Sequence, residues 1–317
     1  MSNDQTRTNH WPPIPFSAWQ TTAAALHLYL QIAGKYRLAR TPWVNHAWHA
    51  TFYSTPRGLT TSLIPDGEGG IEIEFDFVDH RVTGHCLDGT TRSFSLLPMS
   101  VADFHGSFVD LISGLGGNTA FHGSPNELPG SVPFVEDTAP RPYDADAVNR
   151  FHSALVTVNH VLNEFRTGFR GKVSPVHLFW GSFDLAVTRF SGRRAPLHPG
   201  GIPNLPDEVT QEAYSHEVSS AGFWAGGGPV DDAAFYSYTY PAPDGFADAA
   251  VFPEAAYYDK DFGEFILPYE AVRTSDDPKA TLLAFLKSTY EAAAILGQWD
   301  RSQECISGLK GKPLPIT

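Results

Sequence analysis

Between Ile71 and Val78 the side chains alternate without a break, with Ile71, Ile73, Phe75 and Phe77 on one side and Glu72, Glu74 and Asp76 on the other. Successive side chains of a strand point to opposite faces, so this segment is a strand with one apolar and one wet face. A sheet of such strands is covered by helices on one side only. That is the habit of antiparallel sheets and not of doubly wound parallel ones, whose strands are apolar on both faces. The fold class predicted from this pattern is α+β.

Apolar residues at helical spacing (Leu26, Leu30, Ala33) predict a helix from Ser17, with Gly34 as its stop. The aromatic and β-branched run Asn45–Ser54 predicts a strand, as do Leu59–Ile64 and Thr91–Leu97. Pro98 opens a helix over Ser100–Gly114, and Asp144 caps another that runs to Phe165. A long strand is expected over Val176–Phe190, then a loop over 191–212. Strands follow over 213–224, 233–240 and 263–268, the last two separated by an insertion at 241–261, and a final helix over 276–297 closes the chain. One order occurs twice: helix, Gly-Lys, Pro, a Trp-bearing strand, further strands, Leu-Pro, helix. It carries Gly34-Lys35, Pro42, Trp48 and Leu97-Pro98 the first time, then Gly171-Lys172, Pro175, Trp180 and Leu267-Pro268. This order predicts a tandem duplication: two related α-β(4)-α halves with pseudo-two-fold symmetry, antiparallel sheets and helices on one face. The expected divisions are an N-terminal arm (1–16), a first half (17–116), a Gly- and Pro-rich linker (117–143), a second half (144–301) and a C-terminal tail (302–317). The junction of two such halves is a natural ligand cleft.

The net charge of −13 argues against a protein that grips a phosphate backbone, which needs a basic face. The two cysteines, Cys86 and Cys305, lie far apart, which excludes a disulfide framework and a thiolate zinc site and fits a reducing compartment. The first residues show no apolar signal region, and no run of about 18 apolar residues marks a membrane span. The expectation is a cytoplasmic protein with a small-molecule ligand and neither nucleic acid nor membrane as partner. Its oligomeric state is left open, and no cofactor is specified.

Three segments carry chemistry. In the first, over 174–193, alternation puts His177, Phe179, Gly181, Phe183, Leu185 and Val187 on a core face, making His177 a hydrogen-bonded core histidine. Trp180, Ser182, Asp184 and Thr188 fall on the other face, as the wall of a pocket. Arg189, Arg193 and Arg194 gather at the strand end, where guanidinium groups clamp carboxylates or phosphates. The second segment, over 213–226, puts Tyr214, His216, Val218 and Ser220 on one face. His216 beside Asp184 from the neighbouring strand would make a general base with an orienting carboxylate. No Gly-x-Ser-x-Gly elbow accompanies the serines. The third is Asn45–His49. His46 and His49, joined by His216, form the metal-binding alternative; three-residue spacing on a strand places the first two on opposite faces, which argues against it. Lys35 and Lys172 come after the predicted helix ends and complement their dipoles. Tyr236, Tyr238 and Tyr240 share a face, suited to stacking on a ligand or to a cross-strand packing ladder.

Taken together, the segments Asn45–His49, Phe75–Phe77 with His80, Ser174–Arg193, Tyr214–Trp224, Gly263–Glu270 and Ser288–Ala294 resemble a bacterial family of roughly this length, known only as a domain of unknown function. The resemblance runs from Trp11 to Arg301. Its members often carry a second Trp where this chain has Ala47, which implies an altered pocket if that position stacks on a ligand. The resemblance implies that these segments form one domain type and supplies no reaction.

The residues favour an enzyme acting on a small anionic or hydroxylated metabolite in a polar-aromatic cleft. His216 would be its base and Asp184 would orient that base. Arg189 and Arg193 would bind the anion, and Trp180, Tyr214, Ser182 and Thr188 would line the pocket. The alternatives are a non-catalytic small-molecule-binding module, and a metal-dependent hydrolase or oxygenase using His46, His49 and His216.

Overall fold

A computed structural model describes residues 10–227 and 230–303. Residues 1–9 of the expected arm, Cys305, and the expected tail beyond residue 303 lie outside the described residues. Helix α1 (Gln20–Arg40) leads into five strands, β1 (Tyr53–Ser54), β2 (Gly58–Ile64), β3 (Ile71–Asp76), β4 (Arg81–Cys86) and β5 (Thr91–Ser95), and then helix α2 (Val101–Gly114). Helix α3 (Ala145–Thr167) precedes strands β6 (His177–Phe179) and β7 (Asp184–Arg194). Next come helix α4 (Asp207–Ala213) and strands β8 (His216–Trp224), β9 (Ala234–Tyr240), β10 (Tyr257–Asp259) and β11 (Glu264–Pro268). Helices α5 (Tyr269–Arg273) and α6 (Pro278–Leu296) complete the order.

The architecture is α+β, with two antiparallel sheets. The first is a plain meander, β1-β2-β3-β4-β5, and the second runs β10-β11-β9-β8-β7-β6. The expected four strands per half become five and six. Strand β4 pairs along its full length with β3, and the expected insertion at 241–261 contributes the edge strand β10. Helices α1 and α2 pack on the first sheet, and α3 and α6 on one face of the second. Strand β3 follows its predicted alternation from Ile71 to Phe75, with Ile71, Ile73 and Phe75 buried and Glu72 and Glu74 partly exposed; Asp76, expected on the wet face, is buried instead, where Arg57 pairs with it. Helix α2 opens at the expected place with a complete capping box, Ser100 with Asp103. Among the described residues no helix is long and apolar enough to cross a membrane.

Helix α1 sits at the centre. Every residue from Leu28 to Arg37 is buried, so the helix is enclosed on all sides and not only along a stripe. It runs past Gly34, the expected stop, because Gly34 is used for close approach. The Trp180 ring lies directly against its Cα, where an added Cβ would stand 2.5 Å from the indole. Gly34→Ala is therefore expected to destabilise the chain by about 1–3 kcal/mol through overpacking, measurable by chemical denaturation.

Two other segments depart from expectation. Residues Asn45–Ala50 form a 3-10 turn with left-handed backbone at His46 and Ala47 (φ 60° and 56°), not a strand. Tertiary hydrogen bonds fix it: the His46 backbone N–H donates to Glu212 Oε2 at 2.7 Å, and its ring Nδ1–H donates to the Ala213 carbonyl at 2.9 Å. The expected single strand 176–190 is a hairpin, β6 and β7, joined by a tight turn over residues 180–183 with Phe183 at φ 58°. His177 is fully buried as expected, but neither ring nitrogen has a hydrogen-bond partner among the described residues; it is packed among Phe179, Trp48 and Tyr53. Burial, reinforced by the charges of Arg37 and Arg166, holds it neutral, with a pKa pulled down to about 3.

Candidate functional site

The second sheet has α3 and α6 on one face. Over the other lies a cavity of about 490 Å3. Its floor is the alternate residues of three neighbouring strands: Asp184, Ala186 and Thr188 of β7, Val218 and Ser220 of β8, and Tyr236 and Tyr238 of β9. Its roof comes from α1 (Lys35, Leu38), the turn 45–50, Asn126 and Glu127, and the stretch from Ile202 to Tyr214 that includes α4. Trp43, Trp48, Phe179, Trp180 and Phe190 supply aromatic wall; Phe179 and Gly181, expected on the core face, line the cavity because the segment folds back as a hairpin and does not continue as one strand. The predicted alternation of β7 and the shared face of Tyr236 and Tyr238 both hold here, and their rings lie 6.0 Å apart and nearly parallel.

Asp184 is anchored at the floor. Its carboxylate accepts from Ser182 Oγ at 2.5 Å and from the Tyr236 hydroxyl. Tyr236 reaches it from two strands away because Gly222 lies between them; a Cβ there would stand 2.3 Å from the Tyr236 hydroxyl. Burial raises the Asp184 pKa, and the two donated hydrogen bonds oppose that rise. Tyr214 and Tyr238 share a hydroxyl–hydroxyl bond of 2.7 Å, and Thr188 and Ser220 another of 2.8 Å.

A second carboxylate lines the cavity from the roof, near enough to feel the charge of Asp184. Glu127 lies in the segment expected to be a linker, which instead packs closely: Asn126 and Phe134 are buried. The Glu127 backbone is left-handed, φ 61°, and its carboxylate has no hydrogen-bond or salt-bridge partner among the described residues. Burial first, and the charge of Asp184 second, push its pKa up to about 7, against the pull of Lys35. Glu264, one residue before the Phe265–Ser237 pair that joins β11 to β9, is pushed up to about 8 by burial and by Asp184.

Helix α1 builds the support for this pair with three polar residues one turn apart. His27 Nε2 donates to the carbonyls of Trp180 and Gly181, 2.9 Å each, and fixes the β6–β7 turn. Gln31 makes two bonds to the Asn126 backbone: its Nε2 donates to the carbonyl at 2.9 Å, and its Oε1 accepts from the N–H at 2.7 Å. Lys35 donates to Asn126 Oδ1. Burial pulls the Lys35 pKa down to about 8. His27, Gln31 and Lys35 at i, i+4 and i+8 within the otherwise apolar stretch Ala23–Lys35 are a sequence signal for an organised polar wall. Four of the eight described non-glycine residues with left-handed backbone, His46, Ala47, Glu127 and Asn204, line the cavity. Such conformations cost about 1–3 kcal/mol each and gather at functional sites.

The structure separates several residues expected together. Asp184 pairs with Trp224 and Arg194 with His216, so Asp184 and His216 stand at opposite ends of the β7–β8 ladder and form no dyad. His216 keeps company with His46, 6.3 Å between rings, and with Ser215 Oγ at 3.1 Å. Arg189 points to the helix face, where its guanidinium lies over Phe165 and Tyr290 and donates to the Phe165 carbonyl. Arg193 bonds Glu217 at 2.7 Å and the Gly297 and Gln298 carbonyls beyond α6. Neither is an anion clamp in the cavity. His49 Nδ1 lies 3.2 Å from the Val44 backbone, and His46 Nε2 accepts from Lys172. Among the described residues no group of three His, Cys, Asp or Glu side chains is placed to share a metal ion. Trp180, Tyr214, Ser182 and Thr188 line the cavity.

Fold and site together define a class: an α+β chain in which one open sheet face, roofed by a buried helix and irregular segments, encloses an acid-bearing aromatic cavity. The chain belongs to the family of unknown function DUF5996, which it matches over residues 11–305. No curated protein and no solved structure matches it.

Proposed function

We infer that the chain binds a small hydroxylated molecule in this cavity and performs acid–base chemistry on it, with Glu127 as the proton-transferring group and Asp184 as the fixed carboxyl that orients a ligand hydroxyl. The observation that carries this reading is the unpartnered Glu127 carboxylate in the same cavity as an Asp184 already held by Ser182 and Tyr236. Two carboxyls in different surroundings divide labour: the anchored one positions, and the one whose proton leaves near neutrality transfers. Tyrosine and tryptophan faces suit the ring of a sugar or a planar group. The anionic half of the expectation loses its residues, since Arg189 and Arg193 lie elsewhere, and the hydroxylated half keeps Ser182, Thr188, Ser220 and the tyrosines.

The test pairs the full chain with a panel of sugars, polyols and amino sugars, monitoring binding by thermal shift and conversion by proton NMR. The expected result is a compound that raises Tm and is converted. Glu127→Gln should still bind it, with conversion reduced about 100-fold or more. Binding without conversion across the panel would make the chain a non-catalytic binding module. No shift with any compound would overturn the reading.

A further inference from the structure

The charges around the cavity are unequal. Asp184 and Glu127 line it, and Glu264 stands at the adjoining strand close enough to raise the Tyr236 and Tyr238 hydroxyls further. The nearest cation is Lys35, whose ammonium is held on Asn126 Oδ1, sits 5.6 Å from the Trp180 ring centre and makes no salt bridge among the described residues. Enclosed carboxylates of like charge cannot all ionise without a counter-charge. A metal ion would need donors converging within coordination distance, and among the described residues no three His, Cys, Asp or Glu side chains do so. The donors are instead spread over a larger space: an unpartnered carboxylate in the roof, a second carboxylate in the floor with lone pairs to spare, and aromatic faces between them. Ring faces attract cations, most strongly when desolvated.

Resting on the reading of the cavity as a small-molecule site, the geometry points to a ligand that carries a primary ammonium group on a ring-bearing body. The ammonium is held between Glu127 and Asp184, and the ring lies against Trp180 and Tyr236. A primary ammonium brings three N–H donors, enough for both carboxylates. A body of this kind fits about 490 Å3. Binding then replaces protons on the carboxyls with the ligand's own charge, so it releases protons and strengthens as pH rises through about 7.

Calorimetric titration of the full chain with tyramine and with tyrosol, which differ only in ammonium against hydroxyl, tests this directly. Glucosamine against glucose makes a second pair, and Mg2+ and Zn2+ serve as metal probes. The amine of at least one pair should bind about ten-fold or more tighter than its alcohol at pH near 8, with the preference shrinking below pH about 6. Glu127→Gln should remove that preference; the pH dependence in the unaltered chain stands as evidence even if the variant folds poorly. Alcohols binding as tightly as amines at every pH would overturn the ammonium assignment and leave the cavity a small-molecule site. Saturable binding of a metal ion in place of the amines would overturn it too. Absence of binding by every organic probe would overturn both the assignment and the reading beneath it.

Discussion

Trp180→Ala is expected to cost about 3–5 kcal/mol of stability, the range for emptying a large aromatic site in a core. The indole is buried, lies flat on Gly34 of α1, and donates from Nε1 to the Ala50 carbonyl at 2.5 Å. One side chain thus fastens the β6–β7 turn to the central helix and to the turn 45–50. Removing it leaves a void in contact with the ligand cavity and strands a buried carbonyl, so the loss of Tm should be accompanied by loss of binding for every probe. Urea denaturation with an unchanged m-value would show that the loss is one of stability. A variant within about 1 kcal/mol of the parent would show that the junction is held elsewhere.

The second large effect is a pH profile. A carboxyl whose folded pKa lies above its unfolded one holds more protons in the native state, so stability falls as pH rises between the two values. For Glu127 that window runs from 4.5 to about 7, and for Glu264 from 4.5 to about 8. Lys35 acts in the opposite sense: its folded pKa of about 8 lies below the ordinary 10.5, so stability recovers with pH between those values. From these three groups alone the chain would be least stable near pH 8 and more stable at about pH 5, whereas the buried His177, whose folded pKa of about 3 lies below the ordinary 6.5, acts in the opposite sense and removes stability as pH falls from 6.5 towards 3. Glu127→Gln should gain on the order of 2 kcal/mol above pH about 7.5, discounted for its cavity-facing side, and nothing below pH about 4.5. Denaturation midpoints at matched ionic strength across this range decide it. A variant no more stable than the parent at high pH would mean that Glu127 ionises as freely as an exposed carboxyl.

Periodicity makes the frame legible. The alternation of β3 from Ile71 to Phe75, the helix start at Ser100 and the cap at Asp144 depend on neighbours in the chain, and each holds in the structure. The features that escape such a reading depend on partners far away in sequence. Aromatic, β-branched residues over Asn45–Ser54 favour a strand, but Glu212 and Ala213, more than 160 residues on, bend the chain into a turn. Asp184 and Thr188 are legible on the pocket face because strand alternation is local. Pairing Asp184 with His216 fails because alternation fixes a face and not a register: the two share a face, yet Asp184 meets Trp224 and His216 meets Arg194. Glu127 escapes because a Gly- and Pro-rich stretch reads as connection, with no period to mark which side chain turns inward. Its placement is written on α1 instead, in Gln31 and Lys35.

That division of labour sets how such a chain can change its chemistry over time. Asp184, Tyr236 and Ser220 are each paired with residues of two neighbouring strands, whereas Asn126 and Glu127 sit on an irregular stretch tethered from α1 and from Asn204. Substitutions among the few residues around Glu127 can exchange the reactive group or reshape the roof without disturbing a single strand. Relatives that keep His27, Gln31 and Lys35 but vary the residues after Asn126 would then share one scaffold and differ in the ligands they accept, and the helix would act as the socket into which alternative chemistries are plugged.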